Sequence, residues 1–288
     1  ALTSGGGNTI MGQGAGLTTT DVDNTVIIGK DACVAVLTGN GGADGTVAIG
    51  KSALNALTSG QGNIAIGYQA MDANQTSDYN IAIGYNALGA VNGDGTGGNV
   101  AVGYAAGQTI SDGTFNIAIG ASALASNAQS HKNIAIGYAA LYSIEADTDG
   151  KSVGIGYESG FYNVTGVNNT YVGYQAGLGA SGQSNTANVG VGSEALKAVT
   201  DGGYNVAIGF QSGSSITTGD ENIFIGQGSG SGTADVDKSI AIGSGAGSGA
   251  MLAAADGTIA IGYTALQALT SGAGNVAIGY QAMDSVTA

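Results

Sequence analysis

Proline is absent from this 288-residue chain, arginine does not occur, cysteine and histidine appear once each, and only 9% of residues are charged. Each scarcity closes a class of protein. Without proline the 55 glycines do not make a collagen, and a 43% hydrophobic content argues against a disordered polar polymer. The only cations are Lys30, Lys51, Lys132, Lys151, Lys197 and Lys238, scattered singly against 20 acidic residues for a net charge of −14. Phosphate recognition needs clustered Lys and Arg, so no nucleic-acid partner is expected. An acidic surface also repels anionic membranes and glycans unless divalent cations intervene. No run of 18 apolar residues exists, so no membrane insertion is expected, and the residues from Ala1 onward lack the charged and apolar regions of a signal peptide. The lone Cys33 cannot form an intrachain disulfide.

What is present is a repeat. A five-residue phrase of the type Asn-Ile-Ala-Ile-Gly returns throughout, and its final glycine marks sixteen anchors: Gly12, Gly29, Gly50, Gly67, Gly84, Gly103, Gly120, Gly137, Gly156, Gly173, Gly192, Gly209, Gly226, Gly243, Gly262 and Gly279. Anchors are 17 residues apart in ten cases, 19 in four and 21 in one. Insertions therefore come in twos, which preserves the inside-outside alternation of a strand. The pattern predicts coils of 17–21 residues with one fixed strand and one adjustable loop.

Three residues before the anchor stands Val, Ile or Thr, and one before it Ile, Val or Met. The position between them is usually Ala, as at Ala65, Ala82, Ala101, Ala118 and Ala135. This alternation reads as a strand over five positions. The β-branched pairs, for example Ile64, Ile66, Ile81 and Ile83, are expected to form the core columns, with the small residues on the opposite face. Four before the anchor stands Asn in eleven coils, including Asn63, Asn80, Asn99, Asn116 and Asn133. In parallel stacking at about 4.8 Å per layer these amides are expected to form a ladder.

After the anchor, the third residue is Ala or Ser and the fourth Leu, Met, Cys or Gly, as in Ala53-Leu54 and Ala87-Leu88. This block reads as a turn and a short second strand before a loop rich in Gly, Ser, Thr, Asp and Asn. Each coil offers two or three apolar side chains worth roughly 1.5–3 kcal/mol apiece. Backbone ordering costs roughly 1–2 kcal/mol per residue. One coil cannot stand alone, and neighbouring coils must share a core.

Phrases such as Asn63-Ile64-Ala65-Ile66-Gly67-Tyr68-Gln69-Ala70 and Asn80-Ile81-Ala82-Ile83-Gly84-Tyr85-Asn86-Ala87-Leu88 resemble the repeat region of bacteriophage tail fibre proteins. They are also similar to the β-roll head of trimeric autotransporter adhesins. The resemblance covers all sixteen coils, and the Gly-Tyr-Gln-Ala second block and coil length look more like the tail fibres. It implies a parallel β-solenoid (β-roll) built as an intertwined or side-by-side homotrimer. No C-terminal chaperone domain, coiled-coil stalk or membrane anchor of those families is recognisable. The expected class is all-β, one repetitive solenoid rod over residues 1–288.

Chemistry-bearing residues are few. His131 falls in a loop beside Lys132 and Cys33 replaces the usual Leu of the second block, so no nucleophile-base pair can be nominated and no enzyme is expected. Tyr follows the anchor in eight coils, among them Tyr68, Tyr85, Tyr104 and Tyr138, forming either a packing ladder or a sugar-stacking stripe. Acidic pairs at Asp21 and Asp23, Asp147 and Asp149, and Asp235 and Asp237 are candidate Ca²⁺ ligands, or else solvated turn residues. No other cofactor is expected.

The functional expectation is an extracellular fibre shaft or receptor-display segment of a phage tail fibre in the virion. It would attach to a host cell-surface glycan or protein. The alternative is a cell-surface adhesin head or a self-assembling filament subunit. Lys51 to Asp72 nearly repeats Tyr263 to Asp284, and Ala1-Leu2-Thr3-Ser4-Gly5 recurs at Ala56 to Gly60. The chain therefore reads as an interior part of a longer fibre, or as a rod that stacks end to end.

Overall fold

A computed structural model describes residues 5–35, 43–93, 97–144, 149–180, 182, 184–251 and 253–288. Asp147, among the candidate ligands, and Ala1–Ser4, in the repeated first string, lie outside these residues. The chain forms two compact units, Ala1–Asp149 and Gly150–Ala288. The first carries strands β1 (Thr9–Met11), β2 (Val26–Ile28), β3 (Val47–Ile49), β4 (Ile64–Ile66), β5 (Ile81–Ile83), β6 (Val100–Val102), β7 (Ile117–Ile119) and β8 (Ile134–Ile136). The second carries β9 (Val153–Ile155), β10 (Thr170–Val172), β11 (Val189–Val191), β12 (Val206–Ile208), β13 (Ile223–Ile225), β14 (Ile240–Ile242), β15 (Ile259–Ile261) and β16 (Val276–Ile278). Within each unit every strand pairs in parallel with the next in the chain, and equivalent repeat positions face each other, as Ala65 does Ala82 and Val206 does Ile223. The fold is an all-β solenoid with one strand per repeat. Among the described residues there is no α-helix, only a single 3-10 turn at Ala253–Ala255.

The faces of the strand are reversed from the sequence expectation. The central residue points inward: Ala48, Ala65, Ala82 and Ala101 are fully buried, whereas Ile64, Ile66 and Ile81 are half-exposed and Ile83 is 37% exposed. The reason is the width of the coil. The interior is filled from the other side by the second block, where Leu54, Met71, Leu88 and Leu124 are fully buried, joined by Leu57, Val91 and Ile110 from the loop. With a leucine already there, the strand has room for one small side chain per layer, so the two β-branched residues lie outside.

The second block is not a strand. Its residues alternate in handedness, with positive φ at Gln69 (54°) and Met71 (49°) and again at Asn86 (52°) and Leu88 (48°). This bends the chain while peptide groups still ladder: Gln69 N–H donates to Lys51 O on the preceding coil and Met71 N–H to Ala87 O on the following one, both at 3.0 Å. Backbone that looked like a plain turn thus continues the inter-coil bonding. The anchor needs glycine for two reasons. At Gly67 φ is +139°, and a Cβ there would sit 2.3 Å from the carbonyl oxygen of Gly84 in the next coil.

Large strand-centre residues appear only where the second block yields space. Tyr171 and Phe224 are fully buried at the position that is usually Ala. A Cβ on Gly177 would lie 2.3 Å from the Tyr171 ring, and one on Gly230 would lie 2.5 Å from that of Phe224. At these two layers the large ring is offset by a glycine facing it, as dense packing demands.

Candidate functional surface

Three features could act on a partner or ligand: the asparagine ladder, the acidic loops and the outward face of the strands. The asparagines are internal. Asn63, Asn80, Asn99, Asn116 and Asn133 are fully buried. The amide oxygens of Asn63, Asn80, Asn99 and Asn116 accept from the next coil: Asn80 N–H at 2.9 Å and Asn80 Nδ2 at 3.3 Å reach Asn63 Oδ1, and the pattern repeats from Asn99 to Asn80, from Asn116 to Asn99 and from Asn133 to Asn116. The Nδ2 group also ties down the loop, as Asn63 Nδ2 does by donating to Ser77 O at 2.7 Å. The column is therefore satisfied by itself, and its role is to align coils and pin loops.

The acidic residues are engaged by the backbone. Asp23 Oδ1 accepts Gly6 N–H, while Asp23 N–H donates to Asp44 Oδ1 at 2.7 Å. Asp237 Oδ1 accepts Asp220 N–H at 2.8 Å, and Asp237 N–H donates to Asp256 Oδ1 at 2.9 Å. Within the pair Asp235 and Asp237, Val236 between them is buried and the two carboxylates have separate partners. Asp235 Oδ1 takes the Thr217 and Thr218 hydroxyls at 2.8 and 2.9 Å, which hold its pKa below the ordinary value. Asp149 pairs with Lys132 Nζ at 2.6 Å, and Asp21 is exposed. Among the described residues no group of three or more His, Cys, Asp or Glu side chains is placed to hold one metal ion.

His131 occupies the same loop column as these aspartates. Its Nδ1 accepts Thr114 N–H at 2.9 Å, which requires the proton of the neutral ring to be on Nε2. Cys33 takes the place of the usual leucine and is 1% exposed. Burial pushes its thiol pKa up to about 12, so it is a protonated core residue and not a nucleophile.

The outward face is different in kind. In each unit the residues one and three before the anchor make a double column of Ile and Val, interrupted only by Thr9, Met11 and Thr170. Ile83, Ile119, Ile136, Ile155 and Ile208 are 36–40% exposed even though they lie in the middle of strands. Tyrosines border this double column. Tyr68, Tyr85 and Tyr104 stack with centroids 5.2 Å apart at each step and interplanar angles of 11° and 15°. Tyr157 stacks on Tyr174 at 5.5 Å, and Tyr263 on Tyr280 at 5.4 Å. Lys51 Nζ lies 5.4 Å from the Tyr68 centroid, over its ring. Ring faces within the Tyr68 to Tyr104 run are thus turned to one another and to this ammonium. What they offer outward is edge and hydroxyl, which suits hydrogen bonding better than stacking of a sugar.

A second aromatic column escaped the sequence reading. Tyr79 and Phe115, five before their anchors, are 57% and 54% exposed. Each ring covers the glycine at the same position of the preceding coil: a Cβ on Gly62 would lie 2.8 Å from Tyr79, and one on Gly98 2.9 Å from Phe115. The glycine one repeat earlier was the available signal. Compared with known families and curated proteins, the chain matches no family model and no curated sequence.

Proposed function

We propose that this chain is a structural protein, the shaft or receptor-display segment of an extracellular fibre, in which parallel copies associate through their outward Ile and Val columns. The observation that carries this reading is the exposure of those columns. Eight layers at about 4.8 Å and strands of three residues at about 3.3 Å each give each unit an outward face of roughly 400 Å². A monomer seldom leaves more than a few hundred Å² of contiguous apolar surface in water, and specific interfaces cover about 800 Å² per partner. The double column carries no charge in either unit, whereas a net charge of −14 makes the rest of the surface repel another copy. Copies would therefore meet on this face and hold their loops outward. The number of copies, three, and the setting, a phage tail fibre contacting a host surface, follow from the resemblance of the repeats. The absence of a paired nucleophile and base at His131 and Cys33 favours scaffold over catalyst.

Sedimentation of the intact chain tests the reading. The expected mass is three times 27.6 kDa. Replacing Ile66, Ile83 and Ile119 together with Lys should give a folded species of single-chain mass, because these side chains are outside the coil core. A wild-type chain that sediments at 27.6 kDa would overturn the assembly.

A further inference from the structure

The stacked tyrosines have a chemistry that the fibre reading does not use. Tyr68, Tyr85 and Tyr104 are 39%, 47% and 61% exposed, and Tyr157, Tyr174, Tyr263 and Tyr280 lie between 44% and 74%. Each has a second phenol 5.2–5.5 Å away, near-parallel, on the adjacent coil. Parallel in-register pairing holds the two backbones together whatever the side chains do. Two reactive rings therefore share a high effective concentration while remaining open to solvent.

We infer that these runs are sites of oxidative coupling, at which a one-electron oxidant of the peroxidase class joins tyrosines of neighbouring coils as dityrosine. Each phenol loses one hydrogen atom from its hydroxyl, giving two phenoxyl radicals. Their unpaired electrons form one carbon–carbon bond between ring positions ortho to oxygen. The two ortho hydrogens then return to the oxygens, restoring both phenols. The net loss is two hydrogen atoms, and hydrogen peroxide, the co-substrate, takes them up as its O–O bond breaks to give two waters. The links would be axial staples, 17 or 19 residues apart in the chain, closing one coil covalently on the next.

The molecule contains its own controls. Tyr171 is fully buried with its hydroxyl bonded to Asn185 Oδ1 at 2.6 Å. Tyr79 and Tyr204 are 57% and 66% exposed, in a column where neither has a stacked tyrosine among the described residues.

The experiment treats an equal mixture of separately assembled ¹⁴N- and ¹⁵N-labelled full-length chains with a haem peroxidase and limiting hydrogen peroxide, followed by peptide mass spectrometry. The expected products are links 68–85, 85–104, 157–174 and 263–280. Each should be lighter by two hydrogens, carry a single isotope label, and form in unchanged yield after tenfold dilution. Tyr85→Phe should abolish the first two links and leave the other two intact. It should fold, because Phe210 occupies the same column naturally. Links that join heavy to light chains, or that fall mainly on Tyr79 and Tyr204, would overturn the inference, as would an absence of dityrosine. Because the pairs lie within one chain, this result is independent of the oligomeric mass that tests the fibre reading.

Discussion

The two units solve one packing problem in two ways. From β3 to β8 the first unit uses Ala at every strand centre and sets Leu, Met or a loop aliphatic against it. The second unit alternates extremes: Tyr171 and Phe224 enter the core where Gly177, Gly213 and Gly230 leave it open. It also places Ser where the first has Ala. The Ser212 hydroxyl donates to Phe224 O at 2.8 Å, and Ser159 and Ser229 make the same bond to Tyr171 O and Ala241 O. The backbone path is unchanged. What the fold keeps is the glycine anchor, a dense core and the ladder between layers, while the side chains that fill the core change.

Truncating the aromatic core of the second unit should have the largest effect. Phe224→Ala removes a ring enclosed by two glycines that cannot move in, and should cost about 3–5 kcal/mol in chemical denaturation. Placing the same ring in the first unit, Ala82→Phe, should cost about 1–3 kcal/mol by overpacking against Met71 and Leu88. On the Ala82→Phe background, Met71→Gly with Leu88→Gly should cost less than on the wild type, a coupling of more than about 1 kcal/mol. Additive losses would mean that the units do not share one packing rule. Ser212→Ala should cost about 1 kcal/mol, the net value of one buried hydrogen bond.

Acid should separate the units by a smaller margin. Asp235, in the second unit, has its pKa lowered by the Thr217 and Thr218 hydroxyls, so it stabilises the fold above the ordinary carboxylate range and that contribution is lost as pH falls. Asp72, in the first, has its pKa raised by desolvation, so its contribution is present at low pH and lost as pH rises. Amide exchange followed from neutral to acidic pH should show protection near Asp235 falling first. Asp235→Asn should flatten that response, by less than about 1 kcal/mol because the carboxylate is exposed.

The period, the anchors and the loop that absorbs insertions were legible because spacing is a property of sequence alone. Which face of the strand turns inward was not. Alternation fixes that Ile64 and Ile66 share a side, and it takes Leu54 and Met71, four residues past their anchors, to decide which side is already full. A signal did exist, since a large strand-centre residue coincides with Gly in the second block at Ile10 and Gly16, Tyr171 and Gly177, and Phe224 and Gly230. The seven coils with Gly at that position likewise pointed to left-handed backbone where a short second strand was expected. The tyrosine column could be read from its spacing, but not that its rings would stack face to face. For the aspartates the sequence shows carboxylates, and only the fold shows that the group facing Asp237 is a backbone N–H from 17 residues earlier.

The glycine anchors have a consequence for how such a chain can change. Gly84 abuts the carbonyl of Gly103, and Gly103 that of Gly120, so each coil reads only the coil beside it. A segment cut from one anchor to the next and copied in tandem would find the same neighbour on both sides. Length is then a nearly neutral variable, open to drift by unequal recombination between similar stretches of gene. The near-identity of Lys51 to Asp72 with Tyr263 to Asp284 is the kind of scar such duplication leaves.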